Sequence, residues 1–207
     1  MRQQLGRAKY QVLQAIRSAT YRIATPWSKR LVTQVWEEQA RMIHEQWGED
    51  THDFGVLGNI LTYNQVHAVL DVGCGSGRLF ALYAHHGISD ILGMDISKTA
   101  LELAHERHPL VQTTQMRLEE LDFPAKRFDL AICNRVLQHV PPHAIGEAVK
   151  RLTHICRLVY VNELAESDNL AEEFYMFRHD YPALFAQQGC TLLTQGTLGK
   201  QTYRLFG

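Results

Sequence analysis

Three glycines and two aspartates carry the clearest chemistry in this chain. Gly73, Gly75 and Gly77 follow directly on an apolar run containing Asp71, in VLDVGCGSGRL, and helix-compatible residues resume behind them. A strand that breaks into glycines before a helix lets backbone approach a ligand closely, because glycine has no side chain to intrude and tolerates positive φ. Asp95 closes the next apolar run, ILGMD, 22 residues after Gly73. A carboxylate there can accept hydrogen bonds from ribose hydroxyls, as acids do in nucleotide-binding sheets. A dinucleotide fingerprint, G-x-G-x-x-G/A, requires a small residue three positions after Gly75, and Arg78 stands there. That disfavours a nicotinamide-dependent oxidoreductase.

Such a loop has to be presented by a sheet. From Ala68 onward, short apolar runs alternate with helical stretches, the sign of a parallel sheet covered by helices. Strands are expected at 68–72, 91–95, 111–116, 128–133, 158–162, 191–194 and 202–206, with helices near 78–86, 98–107, 142–153 and 169–188. The fold expected is α/β, a Rossmann-like, doubly wound, mostly parallel seven-stranded sheet whose ligands sit beyond the carboxyl ends of the strands. Between residues 4 and 47 apolar residues recur at mostly helical spacing, interrupted at Thr25-Pro26. We therefore divide the chain into a helical extension, 1–64, and a catalytic domain, 65–207.

The spacing G-x-G-x-G with Asp71 two residues before it resembles motif I of class I S-adenosylmethionine methyltransferases. The likeness continues through Asp95 and through LEELDFPAKRFDLAICNRVLQHV, which looks like the stretch around strand four in small-molecule-type members. It is firm over roughly residues 66–163. The resemblance implies S-adenosylmethionine as cofactor. It places Gly73 and Gly75 beneath the methionine part and Asp71 near its amino group, although Asp71 also fits a loop-capping role. Asp95 would hold the ribose, with Met94 and Ile96 flanking the adenine. Leu118 and Glu119 would border the adenine ring, and the Asn134 carbonyl would meet the methionine amine. Where members often carry an aspartate for the adenine amino group this chain has Arg117, which offers only donors. Glu119, or backbone and packing, must then serve.

For a hydroxyl acceptor a general base helps, and histidine titrates in the right range. His139, in NRVLQHV after strand four, is the first candidate and His179, in FRHDYPALF, the second. Arg135 can orient an anionic acceptor and Tyr181 can line its pocket. The expected reaction is O-methylation of a small molecule such as a sugar or other metabolite. N-methylation and tRNA methylation are alternatives, and a catalytically silent cofactor-binding module is a reading of another class. Cys133-Asn134-Arg135-Val136 stands where DNA-type amino-methylating enzymes carry an Asn/Asp-Pro-Pro-aromatic tetrad. No metal site is expected.

Composition narrows the setting. At 207 residues with 45% hydrophobic and 21% charged residues, the chain can bury a core without staples. No run approaches the roughly 20 apolar residues of a membrane span, and the N-terminus does not read as a secretory signal. Four scattered cysteines, without a CxxC pair, argue for reduced thiols. The expected location is cytoplasmic and the expected partner a small-molecule acceptor, with oligomeric state open. Residues 1–36 carry Arg2, Arg7, Lys9, Arg17, Arg22, Lys29 and Arg30 and no acid, so the arm can meet an anion such as RNA or serve as a solvated helix face.

Overall fold

The computed structural model describes residues 26–164 and 176–207. Residues 1–25 of the basic arm and the first part, 169–175, of the helix expected at 169–188 lie outside the described residues.

The chain runs α1 (Pro26–Trp47), α2 (Phe54–Tyr63), β1 (Ala68–Val72), α3 (Phe80–His85), β2 (Asp90–Asp95), α4 (Lys98–Arg107), β3 (Gln112–Gln115), β4 (Phe128–Asn134), α5 (Ile145–Ile155), β5 (Cys156–Leu164), α6 (Tyr181–Ala186), β6 (Leu192–Leu198) and β7 (Gln201–Phe206). The sheet order is β3-β2-β1-β4-β5-β7-β6. Strands β1 to β5 pair in parallel, and β7 runs antiparallel to both β5 and β6. The order reverses between β1 and β4, so their carboxyl ends form the crevice where an open α/β sheet binds ligands.

The central parallel strands β1, β4 and β5 read as largely apolar runs because helices cover both faces, unlike the edge strand β3, which reads QTTQ. Side chains alternate between those faces with a period of two. In β1 and β4, Leu70, Val72, Ala131 and Cys133 join one core with α5 and Phe185, while Val69, Leu130 and Ile132 join the other with α2 and α3. Asp71 shares its parity with Val69. Its side chain is therefore driven under α3, where the Tyr83 hydroxyl donates to it at 3.0 Å in a buried setting.

Arg78 ties the N-terminal helices to this sheet. Its guanidinium donates twice to the fully buried Asp53, at 2.8 Å each, and once to the Asp50 carbonyl at 2.7 Å. Asp53 also accepts from the Asn134 side chain at the end of β4, and Asn134 in turn accepts from Asn162 on β5. Burial would raise the Asp53 pKa, but the Arg78 hydrogen bonds and charge outweigh it and hold it below the usual range. One ion pair thus joins the segment before α2, the glycine loop and two strand ends.

Removing one partner of such a pair leaves a buried charge uncompensated, at a cost of about 3–5 kcal/mol. We expect Asp53→Ala to lose stability on that scale in urea unfolding and Asp53→Asn to lose less; a loss under 1 kcal/mol for Asp53→Ala would show that the pair does not hold these elements together.

Candidate functional site

Beyond β1, the backbone turns left-handed at each of the three glycines. Gly73 has φ +65°, Gly75 +55° and Gly77 +75°. At Gly73 the reason is contact, since a Cβ there would run into the Val136 side chain from the loop after β4. At Gly75 a Cβ would meet nothing within 4 Å, so its backbone faces open space. Asp95 comes to the same place from β2. Its carboxylate accepts from the Gly75 amide and the Ser97 amide, each at 2.9 Å. Burial raises its pKa against those bonds. A carboxylate has about four lone-pair sites, so two backbone bonds leave acceptor capacity for a ligand.

These residues open on a cavity of about 770 Å³, inside the usual range of about 300–1,000 Å³ for small-molecule sites. Gly73, Gly75, Asp95, Ile96, Leu118, Glu119, Asn134 and His139 all line it. Helix α1 closes its other side with Trp36, Ile43 and Trp47. Three contacts dock that helix beside the glycine loop. Glu37 accepts from the Ser97 hydroxyl at 2.6 Å and from the Thr99 hydroxyl at 2.8 Å. His44 Nδ1 meets Ser76 Oγ at 2.9 Å, and Arg117 donates to Thr33. Burial alone would raise the Glu37 pKa, yet the Ser97 and Thr99 bonds hold it below the ordinary value. Arg117 therefore serves to anchor α1 at the rim.

Past β4 the chain is shaped by a carboxylate. Glu163 Oε1 accepts from three successive amides, Val136, Leu137 and Gln138, at 3.1, 2.7 and 3.3 Å. Successive amides in an αL-αR turn form a nest of donors, and here an internal carboxyl group fills it. Arg135 opens the turn at φ +60° and its amide donates to the Asn162 carbonyl at 2.7 Å. Glu163 is buried with Oε2 unpartnered, and burial pushes its pKa up to about 8.

The expected site residues do not all meet. Asp71 lies under Tyr83, outside the cavity wall, and burial pushes its pKa up to about 7. His179 also lies outside the wall. Its Nε2 bonds the Val140 carbonyl at 2.8 Å, and burial lowers its pKa, which suits a neutral ring pinning the loop after β4. Both departures come from local constraints, strand parity for Asp71 and a backbone partner for His179. Tyr181 is buried against Arg204 and does not line the cavity. Asn134 does line it, with its side chain engaged by Asp53 and Asn162. His139 presents its ring edge-on to Trp36, centroids 4.7 Å apart.

Sequence reasoning passed over Asp53, Glu163 and the aromatic wall of α1. Glu163 had a readable signal, because it closes the apolar run LVYVN just as Asp95 closes ILGM. Asp53 had none, since its partner Arg78 lies 25 residues away in a segment that gave no reason to pair them.

Comparison with known proteins agrees with the fold. Residues 69–158 match the family described as a methyltransferase domain. A ubiquinone biosynthesis O-methyltransferase of Alkalilimnicola ehrlichii is 38% identical over 97 residues, 42% of this chain and 39% of that protein. Another of that description, from Neisseria meningitidis serogroup A, is 30% identical over 139 residues, 59% of this chain and 58% of that one. This chain thus matches under two thirds of those relatives' length. Among solved structures, the 1,6-didemethyltoxoflavin-N1-methyltransferase of Burkholderia thailandensis superposes with TM-score 0.70 at 19% identity, covering 89% of this chain and 90% of that chain. The magnesium protoporphyrin IX methyltransferase of Synechocystis PCC 6803 gives 0.69 at 16% identity, covering 86% and 97%. At such identities the superpositions speak of fold.

Asp71 and Glu163 set a pH dependence with a defined sign. A carboxylate whose folded pKa lies above its unfolded value keeps its proton in the native state after the unfolded chain has lost it. Stability then falls as pH rises between the two values. We expect it to decline from the ordinary glutamate pKa of about 4.3 up to about 8, the folded value for Glu163. Glu163→Gln should flatten that slope in denaturant unfolding at stepped pH; an unaltered slope would show that Glu163 ionises normally.

Proposed function

We propose that this chain, whose residues 69–158 belong to the methyltransferase-domain family and whose sheet is that of the class I S-adenosylmethionine-dependent enzymes, methylates a hydroxyl of a small molecule. The carrying observation is that Asp95 closes against the Gly75 amide at 2.9 Å on the wall of one large cavity. The residues present fit S-adenosylmethionine. Gly75 leaves its backbone face open, Asp95 has acceptor capacity for ribose hydroxyls, and Met94, Ile96 and Leu118 give an apolar bed for adenine. Glu119 lines the same end, where it takes the part of adenine contact that Arg117 cannot. When bound, the cofactor supplies an electrophilic methyl group on a sulfonium.

The protein's own contribution is then position and a proton acceptor. Proximity and alignment lower the barrier by removing the entropy of encounter. His139 lines the cavity where His179 does not, and with its Nε2 3.2 Å from the Gln138 side-chain amide it is the candidate to take a hydroxyl proton. The cofactor would supply the methyl group together with a sulfide leaving group, and the His139 imidazole would take the proton of the acceptor hydroxyl. Helix α1 serves as a cover over the bound cofactor, held by Glu37. The ubiquinone O-methyltransferase relatives support oxygen as the acceptor atom, and the aromatic residues of α1 suit a planar substrate. The free cysteines fit a cytoplasmic setting. Among the described residues no helix is long and apolar enough to cross a membrane.

Calorimetric titration with S-adenosylmethionine, S-adenosylhomocysteine and NAD tests the reading. We expect micromolar binding of the first two, none of NAD, and at least tenfold weaker binding by Asp95→Ala; failure of both sulfur ligands sinks it. With an acceptor that supports S-adenosylhomocysteine release, His139→Ala should lose about 10²-fold in turnover, as general bases do, and lose the pH dependence near neutrality. Unchanged turnover across pH would leave proton removal to solvent.

A further inference from the structure

Charges along a cavity wall are costly unless partnered, and this wall satisfies nearly all of its own. Arg78 is held by Asp53, Arg117 by Thr33 and Glu119, Asp50 by His52, and Glu147 by Arg151. Asp95 is held by two amides. Arg135 is the exception. Among the described residues its guanidinium meets only the face of Trp47, 5.7 Å from the ring centroid. Glu163 feels its charge but does not pair with it, and that acid is itself held toward the neutral form by burial.

The backbone holds this cation in place at a cost. Arg135 sits at φ +60°, a left-handed conformation that a long side chain adopts only under constraint. Such strain persists where the surroundings over-determine it. Here they do, because its amide is bonded to the Asn162 carbonyl and the next three amides converge on Glu163. Lying over Trp47 leaves the edge of the guanidinium, with its fork of donors, available to an oxyanion. Nearby, Trp36, Ile43, Val136 and Met176 give the cavity an apolar wall.

Building on the methyl-transfer reading, we propose that Arg135 is a specificity-determining residue that grips an oxyanion on the acceptor, a carboxylate or a phosphate, while the apolar wall packs the acceptor's body. The acceptor is thus an anionic small molecule. Its charge, held by Arg135 in the cavity that His139 also lines, orients the hydroxyl to be methylated.

The test is calorimetry on protein saturated with S-adenosylhomocysteine, using 4-hydroxybenzoate, phenyl phosphate and the neutral isostere 4-hydroxybenzamide. We expect at least one oxyanion to bind tenfold or more tighter than the amide, and the two anions to separate carboxylate from phosphate. Arg135→Gln should bring that ratio to within twofold while leaving S-adenosylhomocysteine affinity within twofold. Arg135→Gly, which suits the left-handed backbone, should do the same and stands in if the glutamine variant fails to fold. No preference for either anion, or a preference surviving both substitutions, overturns the proposal. So does a tenfold loss of S-adenosylhomocysteine affinity without an anion effect, which would put the guanidinium on the methionine carboxylate. Failure of the wild-type protein to bind S-adenosylhomocysteine would instead count against the methyl-transfer reading itself.

Discussion

A guanidinium bonded at 2.8 Å to both oxygens of a fully buried aspartate sits where four segments converge, and the site takes its shape from that contact. Burying an ion pair brings little net stability, since desolvation offsets most of the attraction, but it is intolerant of half measures. Arg78 therefore fixes geometry more than it adds energy. It holds the loop before α2 at the mouth of the glycine turn, and through Asp53 and Asn134 it reaches the ends of β4 and β5. The residue that breaks the dinucleotide spacing is the same one that closes this network.

A second buried acid, Glu163, shapes the turn after β4. The nest of amides after β4 has the form of an anion site, and a free anion there would compete with a ligand. Glu163 fills it from β5, which converts a potential binding feature into a structural one. The cost is a carboxyl group buried with one oxygen unpartnered. The gain is a turn that places Val136 over Gly73 and holds Arg135 at a positive φ. Removal of the Gly73 side chain and the fixing of the post-β4 turn are therefore two halves of one contact.

The sheet was legible because its signal is periodic and local. Each expected strand overlaps the observed one, since apolar runs bounded by glycine and charge are read within a few residues. The strand ends were less so, with β5 extending to Cys156–Leu164 and β6 to Leu192–Leu198, because pairing to neighbouring strands lengthens them beyond their apolar centre. The glycine turn and Asp95 were legible because both sit at strand ends, where position implies direction. Asp71 was readable as a residue and misread in direction, and parity with Val69 would have placed it under α3. His179 was chosen by location alone, and nothing in its sequence marks the Val140 carbonyl as its partner. The cation on Trp47 and the latch at Glu37 depend on α1 folding back over the sheet, a long-range fact that no window of sequence contains.

That return of α1 is energetically light. Its apolar docking rests on Val32 and Val35, with Trp36 and Ile96 packed beside them, a satellite of the two main cores. The rest is polar, Glu37 on Ser97 and Thr99, His44 on Ser76, Arg117 on Thr33. Net contributions of about 0.5–1.5 kcal/mol per hydrogen bond and a small apolar patch leave the helix far less stable than the sheet beneath it. Elements at that end of the stability range are the ones that open while the core stays folded. In the proposed function this matters, because a ligand seated between Asp95 and the glycine turn shares its cavity with α1. The latch bonds reach Ser97 and Thr99, within four residues of Asp95, so contacts made with the ribose and contacts holding the helix are coupled through the same short stretch of chain.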